Sequence, residues 1–116
     1  MAQVDNLGHV YLSNIAKEIE IIPEASIVSK TLLNNESIKV LLFGFATNQE
    51  LSEHTASMPA IIHLLDGKAD ITLGDTYVDA DVGDWIFMPP NLSHSVYAKT
   101  PLKMLLYLLK NKSGSE

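Results

Sequence analysis

From Ile27 onward the chain is a run of short apolar segments separated by turn chemistry, a pattern that suits an all-β domain and leaves little room for helix. Ile38, Val40 and Leu42 alternate with Lys39, Leu41 and Phe43, so both faces of that segment are largely apolar. The other predicted strands are Ile27–Leu33, Leu51–Thr55, Ala60–Leu65, Ala69–Leu73, Tyr77–Asp79, Trp85–Met88, Ser93–Ala98 and Lys103–Leu109. Between them stand Asn34-Asn35-Glu36, Thr47-Asn48, Asp66-Gly67, the two-residue hairpin loop Gly74-Asp75, and Asp81-Val82-Gly83. Many short strands at close spacing predict a barrel or a two-sheet sandwich.

The N-terminal residues 1–26 read differently. Ser13-Asn14-Ile15-Ala16-Lys17-Glu18 has the composition to cap and begin a helical turn, and Pro23 ends that region. The expected division is therefore an N-terminal segment over 1–26, partly helical or strand and open to exchange between subunits, a barrel over 27–109, and a C-terminal tail over 110–116.

Composition removes several function classes. The 116 residues contain no cysteine, which excludes disulfides, thiolate zinc sites and a cysteine nucleophile. A net charge of −6 argues against a nucleic-acid partner. All basic residues are lysine, so no guanidinium fork is available to grip carboxylates or phosphates. The stretch through His9 lacks the basic and apolar regions of a secretory leader, and the longest apolar runs, about five or six residues, fall far short of a membrane span. A cytoplasmic address is expected.

The residues richest in chemistry lie in Gly83-Asp84-Trp85-Ile86-Phe87-Met88-Pro89-Pro90-Asn91-Leu92-Ser93-His94. A buried-looking strand enters a Pro-Pro-Asn turn and delivers a histidine onto the next strand. Together with His54 this predicts two imidazoles converging inside a small barrel. The plain alternative is two interior histidines bonded to each other, to backbone or to water.

The spacing around these residues resembles the two signatures of the cupin family. The first runs Gly, five residues, His-x-His, three residues, Glu, six residues, Gly. Here it falls on His54 and Gly67, with Asn48 at the first glycine, Ala56 at the second histidine and Ala60 at the glutamate. The second runs Gly, five residues, Pro-x-Gly, two residues, His, three residues, Asn. Here it falls on Gly83, Pro89 and His94, with Asn91 at the glycine and Ala98 at the asparagine. The resemblance covers residues 40 to 108. Leu51-Ser52-Glu53-His54-Thr55-Ala56 and Lys103-Met104-Leu105-Leu106 are similar to a bacterial subgroup of single-domain cupins of unassigned activity.

The resemblance implies a cupin-type jelly-roll β-barrel, all-β with at most a short N-terminal helical turn. It also implies a divalent transition metal (zinc, nickel, copper, iron or manganese) held by His54 and His94, with two of the family's four ligand positions filled. Strand alternation puts Glu50 and Ser52 on the face of His54, but Glu50 lies about 13 Å along the strand, too far to share an ion. By the family alignment, even positions from Ala60 face the lumen and His63 faces outward. Met58 and Met88 are candidate ligand contacts beside His54 and His94. Met58-Pro59 lies over the mouth, and Met88, with Trp85, Phe87, Phe43 and Phe45, reads first as barrel core. His9 reads as solvated. The carboxylates from Asp79 to Asp84 lack the spacing of a calcium loop and read as a turn. Ser93 and His94 point to opposite faces, so no serine dyad is expected.

Three functions follow from different classes: a small-molecule-binding barrel, a metal-dependent enzyme of dioxygenase or isomerase type, and a structural or interaction protein. The first is favoured, with an unknown small molecule as partner and neither nucleic acid nor membrane. A homodimer is expected, because strands apolar on both faces need cover outside the barrel as well as within it.

Overall fold

The computed structural model describes residues 3–4 and 8–110. The tail expected over 110–116 therefore lies, beyond Lys110, outside the described residues. A two-stranded ribbon pairs β1 (Gln3–Val4) with β2 (Val10–Tyr11), which the sequence pattern did not reveal. A single 3-10 turn follows at Ile15–Glu18. Nine antiparallel strands then make two sheets: β3 (Ile27–Asn34), β4 (Ile38–Phe45), β5 (Glu50–His54), β6 (Ala60–Asp66), β7 (Ala69–Leu73), β8 (Thr76–Ala80), β9 (Trp85–Met88), β10 (His94–Ala98) and β11 (Leu102–Leu109). The five-stranded sheet runs β3-β4-β11-β6-β9 and the four-stranded sheet β5-β10-β7-β8. This is the two-sheet β-barrel expected from the turn-punctuated sequence. No described helix is long and apolar enough to cross a membrane.

The two sheets enclose the main core. Phe45, Ile62, Leu64, Ile71, Met88, Val96, Leu102 and Met104 are fully buried there, so the barrel interior is packed with side chains rather than hollow. Ala60, Ile62 and Leu64 are buried on β6 while Ile61, His63 and Leu65 are half-buried, the alternation expected from the even positions.

A second core lies on the outer side of the large sheet. Val40, Leu42 and Leu105 there meet Ile19, with Leu12, Ile15 and Ile22 packed alongside. The N-terminal segment thus folds back over its own β4 and β11. The Lys103 ammonium fastens it by donating to the Ala16 carbonyl at 2.8 Å. Gly44 sits beneath this strap: a Cβ there would lie 2.9 Å from Ile22 Cγ1 and 3.2 Å from Ile19 Cγ2. Much of the apolar outer face for which a second subunit was expected is covered from within the chain.

Two local expectations differ from the structure. Asn14 provides no side-chain cap; it adopts φ 51°, and the turn closes through Lys17 N–H to the Asn14 carbonyl at 2.8 Å. Trp85 and Phe87 are not core: they are 59% and 50% exposed. β9 is the outermost strand of its sheet, and its odd positions pair with His63 and Ile61 on the outward face. Only Ile86 and Met88 turn inward to the core.

Backbone conformation explains where the chain tolerates substitution. Gly67 has φ 90°, and a Cβ there would lie 2.1 Å from the Pro101 carbonyl oxygen. Gly83 has φ 89° with nothing within 4 Å of the same position. Gly83→Ala is expected to cost about 1–3 kcal/mol from the left-handed backbone alone. Gly67→Ala adds a backbone collision and should cost distinctly more. Urea denaturation of the two variants checks this ordering, and equal midpoints would contradict it.

Candidate functional site

One end of the barrel gathers the last residue of β5, the first of β6, the last of β9 and the first of β10. His54 and His94 are direct cross-strand partners there. Their ring centroids are 4.3 Å apart with the planes inclined at 57°. His94 is 7% exposed, and His54 is exposed at the rim.

Each ring is anchored the same way. His54 Nδ1 lies 2.8 Å from the Ser52 carbonyl oxygen, and His94 Nδ1 lies 2.9 Å from the Leu92 carbonyl oxygen. A carbonyl can only accept, so each Nδ1 carries the proton and donates. In the neutral ring Nε2 then holds an unshared lone pair. The two imidazoles offer two such lone pairs from adjacent strands.

The route by which His54 reaches this face differs from simple alternation. His94 pairs with His54, but Val96 pairs with Leu51 and Tyr97 with Glu50. Between these pairs one residue on β10, Ser95, opposes two on β5, Ser52 and Glu53, and the extra residue is a β-bulge. It reverses parity within β5: Leu51 packs against the main core, and His54 returns to the same side. Glu50, expected on the face of His54, instead pairs with Tyr97 on the other face of the sheet. The signal was present in the sequence, because an apolar Leu51 and a lumen-facing His54 separated by polar Ser52-Glu53 do not share a face on a regular strand.

The bulge also brings together two side chains that sequence reasoning kept apart. The Ser93 hydroxyl donates to Glu53 Oε2 across β5 and β10. Ser93 therefore serves a carboxylate and not a histidine. No spacing rule flags this pair, which is separated by 40 residues.

The loops leading from His54 and into His94 are tied to each other. Asn91 N–H donates to the Ala56 carbonyl at 2.7 Å. Asn91 has φ 67° and Asn48 has φ 70°. Both stand where the family signatures place glycine, and asparagine is one of the few other residues that enter this region readily. Met58 lines a cavity of about 320 Å³ with Ser57, Pro59, Pro90, Leu109 and Lys110. Met88 is not among its walls; it lies opposite Ala60, 2% exposed, within the core.

Ala56 and Ala60 cannot ligate a metal, and Ala60 is itself part of the packed core. Among the described residues no group of three or more histidine, aspartate or glutamate side chains could hold an ion. Two imidazoles do not complete a centre that normally takes three or four protein ligands. His63 is half-buried on the outward face opposite Trp85 and Leu105, and His9 is exposed. The carboxylates from Asp79 to Asp84 are engaged elsewhere. Asp81 pairs with Lys68 at 2.9 Å, which holds its carboxyl below the usual value. Asp84 Oδ2 accepts from Asp81 N–H at 2.8 Å, and Asp79 pairs with Lys99 at 2.6 Å.

No family model and no curated protein sequence matches this chain. Solved structures do. A conserved protein of unknown function from Streptococcus pyogenes superposes with a TM-score of 0.81 at 26% identity, covering 97% of this chain and 98% of that one. A cupin superfamily protein from Desulfitobacterium hafniense gives 0.75 at 26% identity, covering 78% and 84% of the two chains. A cupin 2 conserved barrel domain protein from Leptotrichia buccalis gives 0.76 at 29% identity, covering 87% of this chain and 48% of its own. The two-sheet barrel is the cupin double-stranded β-helix of these structures. This chain is a small cupin-domain protein.

The tautomer assignment is directly testable. At neutral to mildly alkaline pH, long-range nitrogen–proton NMR correlations should show His54 and His94 protonated at Nδ1 and bare at Nε2. Protonation at Nε2 in either neutral ring would contradict the anchoring.

Proposed function

We propose that the protein is a small-molecule-binding cupin whose site is built on His54 and His94. The observation that carries this reading is the pair of Nε2 lone pairs freed by two backbone-committed Nδ1–H groups. Two neighbouring acceptors suit a ligand that donates hydrogen bonds, such as a hydroxyl or an amide N–H. The cavity beside Met58, whose lining includes neither histidine, lies between the loops that follow β5 and precede β10, near the mouth where ligand sites of β-barrels commonly lie.

The same lone pairs favour a second reading, weak uptake of a divalent metal with water completing its shell. Zinc, nickel and copper suit imidazole better than manganese does. Acid should release such an ion by protonating the rings. The test is isothermal titration with nickel at neutral and mildly acid pH, comparing the wild type with a His54→Ala/His94→Ala variant. Uptake by the wild type alone, lost in acid, is expected if metal binds here. Equal uptake by both would place the metal elsewhere. No uptake by either leaves the metal-free binding barrel and removes the metal-dependent enzyme.

Assembly as a homodimer belongs to the same proposal. Trp85 and Phe87, with Ile61 and His63 beside them, form an exposed apolar end of the outer face that the N-terminal strap does not reach. Light scattering at micromolar concentration should read the mass of two chains, and Trp85→Lys should reduce it to one. A stable wild-type monomer would end the proposal.

A further inference from the structure

We propose that Glu53 and Ser93 are positioning residues that set the spacing of the His54–His94 pair. The inference rests on the reading of those histidines as the site.

β5 is the outermost strand of its sheet and is paired only with β10. Two side-chain bonds join the neighbourhood of β5 to β10. At one end the Tyr97 hydroxyl donates to Asn48 Oδ1 at 2.8 Å. At the other the Ser93 hydroxyl donates to Glu53 Oε2. The second bond joins Glu53, in the bulge of β5, to Ser93, just ahead of β10, and so brackets the His54–His94 pair. It therefore acts at the end of the ladder, beside the point where its regular pairing is interrupted.

The two sides match. In Ser52-Glu53-His54 the ring is fixed to the carbonyl of the first residue, and the middle residue carries the clasp. In Leu92-Ser93-His94 the arrangement repeats. Each imidazole is thus rigid with respect to its own strand. The distance between the rings depends on the distance between the strands, and Glu53–Ser93 holds that distance from the face opposite the histidines. A hydroxyl donating to a carboxylate is among the stronger neutral-to-charged hydrogen bonds, which fits a role in holding an edge strand. The rings bond to backbone carbonyls while these side chains bond to each other, so the effect passes through the backbone of one residue on each strand.

The experiment uses Ser93→Ala, Glu53→Gln and the conservative Ser93→Thr in the full chain, with two readouts. The first needs no metal: the nuclear Overhauser effect between ring protons of His54 and His94. With ring centroids 4.3 Å apart it should be strong in the wild type. It should fall several-fold in Ser93→Ala, fall less in Glu53→Gln, which keeps an acceptor but loses the charge, and survive in Ser93→Thr, which keeps the hydroxyl. The melting temperature should change little in all three. The second readout is nickel affinity, expected to drop about tenfold in Ser93→Ala and to be preserved in Ser93→Thr. Unchanged ring contact in folded Ser93→Ala overturns the proposal, whatever the nickel result. Wild-type protein that takes no nickel but loses ring contact in Ser93→Ala upholds the clasp and ends the metal reading alone. Should Ser93→Ala fail to fold, Glu53→Gln decides by the same ring contact.

Discussion

Four residues in left-handed backbone set the frame on which the strands pair. Asn48, Gly67, Gly83 and Asn91 have φ of 70°, 90°, 89° and 67°, and they stand in the turns before β5, before β7, before β9 and before β10. A turn that needs positive φ fixes where one strand stops and the next begins, and hence the register of both. The two cupin signatures place glycine at all four positions. This chain has glycine at two of them, including Gly67 against Pro101, and asparagine, which also enters positive φ, at the other two. The lost glycines therefore leave the turns, and the barrel they define, in place.

Most of the barrel was legible because its signals are local. Ala69–Leu73 and Trp85–Met88 have the predicted ends, and the other predicted barrel strands differ by a residue or so at one or both ends. Turn residues and period-two apolar patterns are carried within a few positions of each other. What was not legible depends on contacts between distant segments. The bulge in β5 exists only against β10, and the Glu53–Ser93 bond only once that bulge forms. Trp85 and Phe87 have the composition of core, yet their burial depends on which strand ends up outermost. The cover over Leu42 and Leu105 comes from a segment whose own pattern is too short to declare a structure.

The edges of the two sheets are treated differently. On the outer strand β8, Tyr77 is 60% exposed, but its hydroxyl donates to Asp70 at 2.5 Å, and Lys99 joins Asp70 and Asp79 at 3.1 and 2.6 Å. The Tyr77 hydroxyl, and after it Lys99, holds the Asp70 carboxyl below its ordinary value, while Asp70 raises the Tyr77 hydroxyl. Charged and hydrogen-bonded groups of this kind discourage another chain from adding to an edge. At β9 the outward positions are Trp85 and Phe87 instead. The contrast within one molecule is why the proposed homodimer contact is assigned to the β9 side rather than the β8 side.

The two alanines in the site have different consequences. Ala60 is buried among core side chains, so a carboxylate there would be desolvated unless an ion compensated it. Without that carboxylate the core closes with apolar atoms, and the barrel does not depend on metal for its packing. Ala56 lies in the half-buried loop, and its main chain receives Asn91 rather than presenting a side chain to a ligand. At these two positions the chain has packing and loop closure where the family signature has ligands. The two histidines, by contrast, remain paired across the strands with their Nδ1–H groups committed and their outer nitrogens bare. Each ring is fixed to its own strand by the same bond, from Nδ1–H to the carbonyl two residues earlier, so the two nitrogens that remain are set by the strands and not by the rings' own rotation.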